Sequence, residues 1–226
     1  MLSLKKEEKI ALLVDFDGTI TTTDTNDKLV YKHRNDKIND LLSKELDMEY
    51  IEFVDAVLDE VKITEEDYLK FILSEIGISQ GFKEFYDIAI AQGLPIAIVS
   101  GGFHNGIRPF LEKFGIRDVE VYANSLNFDE DNITGTYYDG KNKDCCDMGP
   151  CGNCKIQHYE KLKDQGYKVI FIGDGITDQS LAREADVVFA KDGLEIFCKE
   201  NQIKYIPWID FRDINKIIFK DNQLIV

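Results

Sequence analysis

Two short stretches of this sequence set carboxylates at spacings that let them share one ligand. Asp15-Phe16-Asp17-Gly18-Thr19 follows an apolar run. Acids two apart in extended backbone leave on the same side, and Gly18 permits the sharp turn that follows. Gly173-Asp174-Gly175-Ile176-Thr177-Asp178 follows another apolar run, with its acids four apart; one turn of a starting helix would stack them on a single face. Carboxylates packed together raise one another's pKa unless a cation intervenes. Oxygen donors with water in the remaining positions suit Mg²⁺, which usually takes one or two protein carboxylates plus a phosphate oxygen. A third stretch, Ser100-Gly101-Gly102, offers a hydroxyl and backbone N–H groups that a ligand can approach closely. Lys155 adds a cation near a helix start. Each has a plainer reading, the acids as helix caps and the lysine as a solvated charge; in combination they point to phosphate chemistry.

The elements that must position these residues follow from hydrophobic patterning. Ile10 to Val14, Ile96 to Val99, Val169 to Ile172 and Val187 to Phe189 are continuous apolar runs, the signature of strands buried on both faces of a parallel sheet. Stripes of helical period lie between them, among them Phe82/Phe85/Tyr86/Ala89 and Ile107/Leu111/Phe114. The expected fold is therefore α/β, a doubly wound parallel sheet in which the strand ends share one crevice. Residues 22–80 contain only helical patterns and read as a small helical cap inserted after the first strand; residues 1–21 and 81–226 read as the catalytic core. Thr64 followed by Glu65, Glu66 and Asp67 marks a helix start. Residues 119–139, after the third stretch, read as a β-hairpin around an acidic turn.

The chain has 226 residues, with 27 Lys and Arg against 42 Asp and Glu, for a formal charge of −15. That balance argues against a nucleic-acid or anionic-membrane partner, since phosphate backbones are met by Lys and Arg. No apolar run approaches the roughly 20 residues that cross a bilayer. The N-terminal MLSLKKEEKI carries Lys and Glu where a secretory peptide is apolar, so the expected location is the cytoplasm. The expected assembly is a monomer or homodimer.

With four such segments in order, the sequence resembles the haloacid dehalogenase superfamily of phosphohydrolases. DFDGT corresponds to its nucleophile motif, IVSGG to the second, Lys155 to the third and GDGITD to the fourth. The insertion is similar to the cap of phosphoserine phosphatase-type members. The run Cys151-Gly152-Asn153-Cys154-Lys155 is similar to the branch whose third-motif lysine follows CxxC, which includes the methionine-salvage phosphatases, with phosphocholine/phosphoethanolamine-type enzymes related to it.

The resemblance implies an Mg²⁺-dependent phosphomonoesterase acting on a small phosphorylated metabolite. Asp15 would be the nucleophile that forms an aspartyl-phosphate, and Asp17 the general acid–base. Mg²⁺ would be held by Asp15, the Asp17 carbonyl and Asp174, with Asp178 directly or through water. Ser100 and the Gly101 N–H would bind phosphoryl oxygens, with Lys155 balancing charge. The implied substrate is 2-hydroxy-3-keto-5-methylthiopentenyl-1-phosphate or a similar compound, with phosphoserine and phosphocholine or phosphoethanolamine as alternatives. A non-enzymatic regulatory or metal-binding module on the same fold is the alternative of another class.

Asp24 stands where the chain enters the insertion and reads either as a substrate-facing acid or as a helix cap. Tyr31, Phe53 and Tyr68 could line an apolar pocket there or belong to the core. Cys145, Cys146, Cys151 and Cys154 fall within ten residues; structural Zn²⁺, free thiols and a labile disulfide are the three readings. Gly77 and Gly81 bracket the return to the core, where a hinge would sit.

Overall fold

The computed structural model describes residues 8–139, 151–220 and 223–224. Its frame is a seven-stranded sheet built from β1 (Lys9–Val14), β2 (Ile96–Phe103), β3 (Glu120–Asp129), β4 (Asn132–Thr136), β5 (Tyr167–Gly173), β6 (Val187–Ala190) and β7 (Ile206–Pro207). The order across the sheet is β4-β3-β2-β1-β5-β6-β7. Every neighbouring pair is parallel except β3 and β4. From β1 the chain builds outward on one side, then crosses back to add β5 beside β1, so the switch point falls between the two strands that end in acid clusters.

The apolar runs are continuous because successive side chains enter different layers. Leu12 and Val14 of β1 pack in one core cluster while Leu13 packs in the other, and Ile170 and Ile172 of β5 alternate with Val169 and Phe171 in the same way. The short β7, with Pro207 at its end, carries too few residues to give a periodic signal.

Between β1 and β2 lie α1 (Thr25–Lys32), α2 (Asp36–Leu42), α3 (Tyr50–Glu60), α4 (Glu65–Glu75) and α5 (Phe82–Ala91). Thr64 caps α4, its Oγ1 accepting from the Asp67 N–H at 3.2 Å. Where the chain leaves and re-enters the sheet layer the two segments run side by side: the Thr22 N–H donates to the Gly77 carbonyl at 3.0 Å and the Ser79 N–H to the Ile20 carbonyl at 2.8 Å. The remaining helices are α6 (His104–Lys113), α7 (Lys155–Asp164), α8 (Gln179–Glu184), α9 (Asp192–Glu200) and α10 (Phe211–Ile218).

The expected hairpin is β3–β4, and its first strand is also a member of the main sheet. Its tip reaches the inserted helices. The Ile63 N–H donates to the Asp131 carbonyl at 2.8 Å, and the Tyr137 hydroxyl to Asp55 Oδ1 at 2.6 Å.

Candidate active site

The carboxyl ends of β1 and β5 are locked together by their backbones, the Asp15 N–H donating to the Ile172 carbonyl at 2.9 Å. This contact sets the two acid clusters side by side. One carboxylate oxygen from each of Asp15, Asp174 and Asp178 lies within 4.8 Å of the others. Gly18 makes the approach possible: its φ of +71° favours glycine, and a Cβ there would collide with Asp174 Oδ2. The Thr19 hydroxyl donates to Asp174 Oδ1 at 2.5 Å.

Asp178 does not stack on Asp174 through a helical turn, as the four-residue spacing suggests. Gly175 is extended, residues Ile176–Asp178 form a single 3₁₀ turn, and α8 begins only at Gln179. Asp178 instead folds back, its Oδ2 accepting from the Asp174 and Gly175 N–H groups at 2.9 and 3.0 Å. Its Oδ1 accepts from Lys155.

Lys155 is 3% exposed, and its ammonium bridges Asp178 and Asp15, at 2.5 Å from Asp15 Oδ1. It is the first residue of α7 and no solvated surface charge. Burial disfavours the ammonium, but the Asp15 and Asp178 carboxylates outweigh that and hold its pKa up. Asp17 sits apart, with Oδ1 accepting from the Thr25 N–H at 3.1 Å and from the Thr25 hydroxyl, and Oδ2 from the Ser100 hydroxyl at 3.3 Å. A Cβ at Gly102 would occupy the position of Asp17 Oδ2.

Four carboxylates and one ammonium leave this site short of positive charge. Burial is the first cause of the raised pKa of Asp15, followed by the charge of Asp178. Burial and then Asp178 push Asp174 up to about 7. Burial also raises Asp17, against hydrogen bonds from Thr25 and Ser100. An all-oxygen donor set in which burial and mutual repulsion raise Asp15 and Asp174 fits a hard dication such as Mg²⁺.

A cavity of about 400 Å³ opens over this cluster. Gly101, Asp174 and Gly175 form its floor, and Leu29, Phe53, Val54 and Val57 of α1 and α3 form an apolar wall. Asp24 also lines it while capping α1, its Oδ1 accepting from the Asn26 and Asp27 N–H groups at 2.8 and 2.9 Å. The cap of α1 and a position at the cavity are thus combined in one side chain. Burial, then the charges of Asp17 and Asp27, push its carboxyl up to about 8.

Of the three aromatics expected at such a pocket, Phe53 lines it. Tyr31 is 73% exposed, and Tyr68 is a core residue against Phe128, with ring centroids 5.7 Å apart. Tyr31 is two residues beyond the inward-facing Leu29, roughly 200° round α1, and propensity does not register that rotation. Cys151 and Cys154 are buried, whereas Cys145 and Cys146 lie outside the described residues. Among the described residues, the metal-capable group of three is the aspartate trio and includes no cysteine.

A largely parallel sheet bearing acids at its switch point, below a cavity walled by inserted helices, makes an α/β fold with a site suited to phosphate chemistry. The description of haloacid dehalogenase-like hydrolases matches residues 12–183, and the chain belongs to that family, as an enzyme of its phosphatase kind. It is 32% identical over 219 residues to the 2-hydroxy-3-keto-5-methylthiopentenyl-1-phosphate phosphatase of Bacillus velezensis, covering 90% of this chain and 87% of that protein. The protein of the same name from Bacillus cereus is 31% identical over 210 residues, covering 91% of this chain and 94% of that one. Among solved structures, a substrate-bound phosphoserine phosphatase superposes with a TM-score of 0.69 at 22% identity, covering 95% of this chain and all of that one. A phospho-aspartyl intermediate analogue of phosphoserine phosphatase gives 0.70 at 23% identity, with the same coverage. No helix among the described residues is long and apolar enough to cross a membrane.

Sequence reasoning missed Thr25, Asn124, Asn153 and His158. Asn124 left a signal, as an asparagine inside a strand-forming run is a depleted type in that setting. Asn153 stands within CGNCK, where the lysine and cysteines draw attention first.

Proposed function

We propose that the chain is an Mg²⁺-dependent phosphomonoesterase that hydrolyses a small phosphorylated metabolite through a covalent intermediate on Asp15. The observation that carries this reading is the buried Asp15 carboxylate, paired with Lys155 and gathered with Asp174 and Asp178 below the cavity. The carboxylate attacks phosphorus, an aspartyl–phosphate bond forms, and the ester P–O bond breaks. Asp17 gives its proton to the leaving oxygen. Asp17 then takes a proton from water, the water oxygen bonds to phosphorus, and the aspartyl–phosphate bond breaks to release phosphate.

Lys155 and Asp178 fix the nucleophile, while Ser100 and the Gly101 N–H bind phosphoryl oxygens. Asp15, Asp174 and the Asp17 carbonyl would hold Mg²⁺, with Asp178 directly or through water. When bound, the ion neutralises phosphoryl charge so that an anionic carboxylate can approach.

Residues 22–80 act as the cap and enclose the organic part of the substrate. The apolar wall of Leu29, Phe53, Val54 and Val57 and the names of the relatives support 2-hydroxy-3-keto-5-methylthiopentenyl-1-phosphate as that substrate. A second reading, an amine-bearing ester such as phosphoserine or phosphocholine, draws support from Asp24, Asp27 and Glu45 at the same cavity. Phosphate release from these three esters, with Mg²⁺ and with chelator, separates the readings. The highest kcat/KM is expected for the thioether compound, with activity lost under chelation. A preference for either amine ester overturns the substrate, and full activity without a divalent ion overturns the metal.

A further inference from the structure

Strand β2 bulges where it carries Ser100, Gly101 and Gly102. Val99 lies opposite Tyr122 and Phe103 opposite Asn124, so four residue steps on β2 face two on β3. A bulge takes backbone groups out of the ladder, and buried carbonyls need replacement donors. Two buried asparagines supply them. Asn153 Nδ2 donates to the Ser100 carbonyl at 2.9 Å and the Tyr122 carbonyl at 2.8 Å. Asn124 Nδ2 donates to the Gly101 carbonyl at 2.8 Å.

In a planar trans peptide the carbonyl and the following N–H point in opposite directions. Holding the Ser100 carbonyl therefore aims the Gly101 N–H away from Asn153. Holding the Gly101 carbonyl likewise aims the Gly102 N–H, which donates to Ser100 Oγ at 2.9 Å.

We propose that Asn153 and Asn124 are the positioning residues of the phosphate-binding donors. Asn153 aims the Gly101 N–H, and Asn124 orients the Ser100 hydroxyl through Gly102. The proposal rests on the reading of Ser100 and Gly101 as phosphoryl-binding groups.

Neighbouring donors fix which way each amide faces. The Tyr138 N–H donates to Asn124 Oδ1 at 3.0 Å. Asn153 Nδ2 faces two backbone carbonyls, which only accept, so its Oδ1 is the acceptor at 2.8 Å from His158 Nε2. His158 therefore carries its proton on Nε2. Its Nδ1 is buried without a hydrogen-bond partner, and its ring stacks on Tyr122 with centroids 4.1 Å apart. Of the His158 contacts, the Nε2–H bond is the one that holds the Asn153 amide.

The imidazole thus has two separable roles, packing and donating. His158→Phe keeps an aromatic ring on Tyr122 and removes the donor, whereas His158→Gln keeps a donor near the Nε2 position and removes the ring. The readouts are kcat for p-nitrophenyl phosphate and the ratio of inhibition constants for vanadate and inorganic phosphate, a ratio that does not depend on the fraction of folded enzyme. Vanadate takes the geometry of the transition state, so misaimed donors weaken it more than phosphate. We expect His158→Phe and Asn153→Asp each to lower kcat about tenfold and to shift the ratio about tenfold against vanadate, part of the roughly 10²-fold that a lost oxyanion donor costs. His158→Gln should stay within about threefold of wild type, since the donor is retained. Two results overturn the positioning role while leaving the phosphatase reading intact. One is the reverse order, with His158→Phe active and His158→Gln impaired; the other is an unchanged ratio in both His158→Phe and Asn153→Asp. A wild-type protein that neither hydrolyses the ester nor binds vanadate overturns both.

Discussion

The acid cluster at the ends of β1 and β5 and the cavity above it are built by opposite means. Below, four side chains from Asp15, Asp174, Asp178 and Lys155 are buried or half-buried together, fixed by backbone N–H groups and by each other. Above, the apolar part of the wall consists of aliphatic and aromatic side chains from two helices, chosen by shape alone, with Asp24, Asp27 and Glu45 beside it. Charge in a poorly solvated place demands partners at fixed distances, whereas apolar packing accepts many residues of similar volume. Changes in the lower region should therefore alter chemistry and stability outright, and changes in the upper region should adjust selectivity by degrees.

The largest effect is expected for Asp15→Asn, which replaces the carboxylate proposed to attack phosphorus by an amide. Turnover of p-nitrophenyl phosphate should fall below about a thousandth of wild type, with an unchanged circular dichroism spectrum. Near-normal turnover would remove Asp15 from the chemistry.

Lys155→Met comes next. It leaves Asp15 and Asp178 buried without their cation, and breaking a buried pair from one side costs about 3–5 kcal/mol. Urea unfolding at neutral pH without divalent ions should report a loss of that order, and a loss below about 1 kcal/mol would show the pair to be dispensable.

Ion removal from the intact protein should have a graded effect with a definite sign. The folded pKa of Asp174, about 7, stands above its ordinary 3.8, and Asp15 is raised as well. Between those values the folded chain holds protons that the unfolded chain has released, so this contribution is fully present below about pH 4 and is lost as pH rises through about 7. The melting temperature of chelated protein should fall across that window, and Mg²⁺ should restore it most at the upper end. A flat profile would contradict the charge-crowded cluster.

The smallest effects belong to the upper region. Phe53→Ala should shift selectivity between a thioether ester and p-nitrophenyl phosphate by about tenfold, the scale of apolar pocket contacts. Tyr31→Ala, at an exposed position on the same helical block, should change stability by less than about 0.5 kcal/mol. A selectivity change from Tyr31 as large as that from Phe53 would erase the distinction between wall and surface.

The same contrast explains what could be read in advance. The acids are legible because each cluster is contiguous and follows an apolar run, and because the sheet topology sends both runs to one edge. The continuous apolar runs of β1 and β5 likewise follow from burial on both faces. Asp178 shows where spacing misleads: four residues apart suggests a helix, yet an extended Gly175 and two N–H bonds back to the carboxylate produce the same proximity by a turn. The cavity wall was only partly legible, since Phe53 and Tyr31 are the same kind of residue on the same kind of element. What separates them is a rotation about a helix axis that tertiary packing decides. The asparagines at the β2 bulge escaped notice because the bulge itself is a property of strand pairing, visible only when β3 is laid beside β2.

The paired crossing of residues 20–22 and 77–79 bears on how substrate gets in. Immediately upstream, the Ile20 and Thr21 N–H groups both donate to the Phe16 carbonyl, at 2.9 and 3.1 Å. The strap that carries the helices is thus tied by hydrogen bonds to the segment that leaves the end of β1. A lid motion of the inserted helices would therefore pull on the Asp15–Asp17 segment, tying access to the cavity to the alignment of the acids.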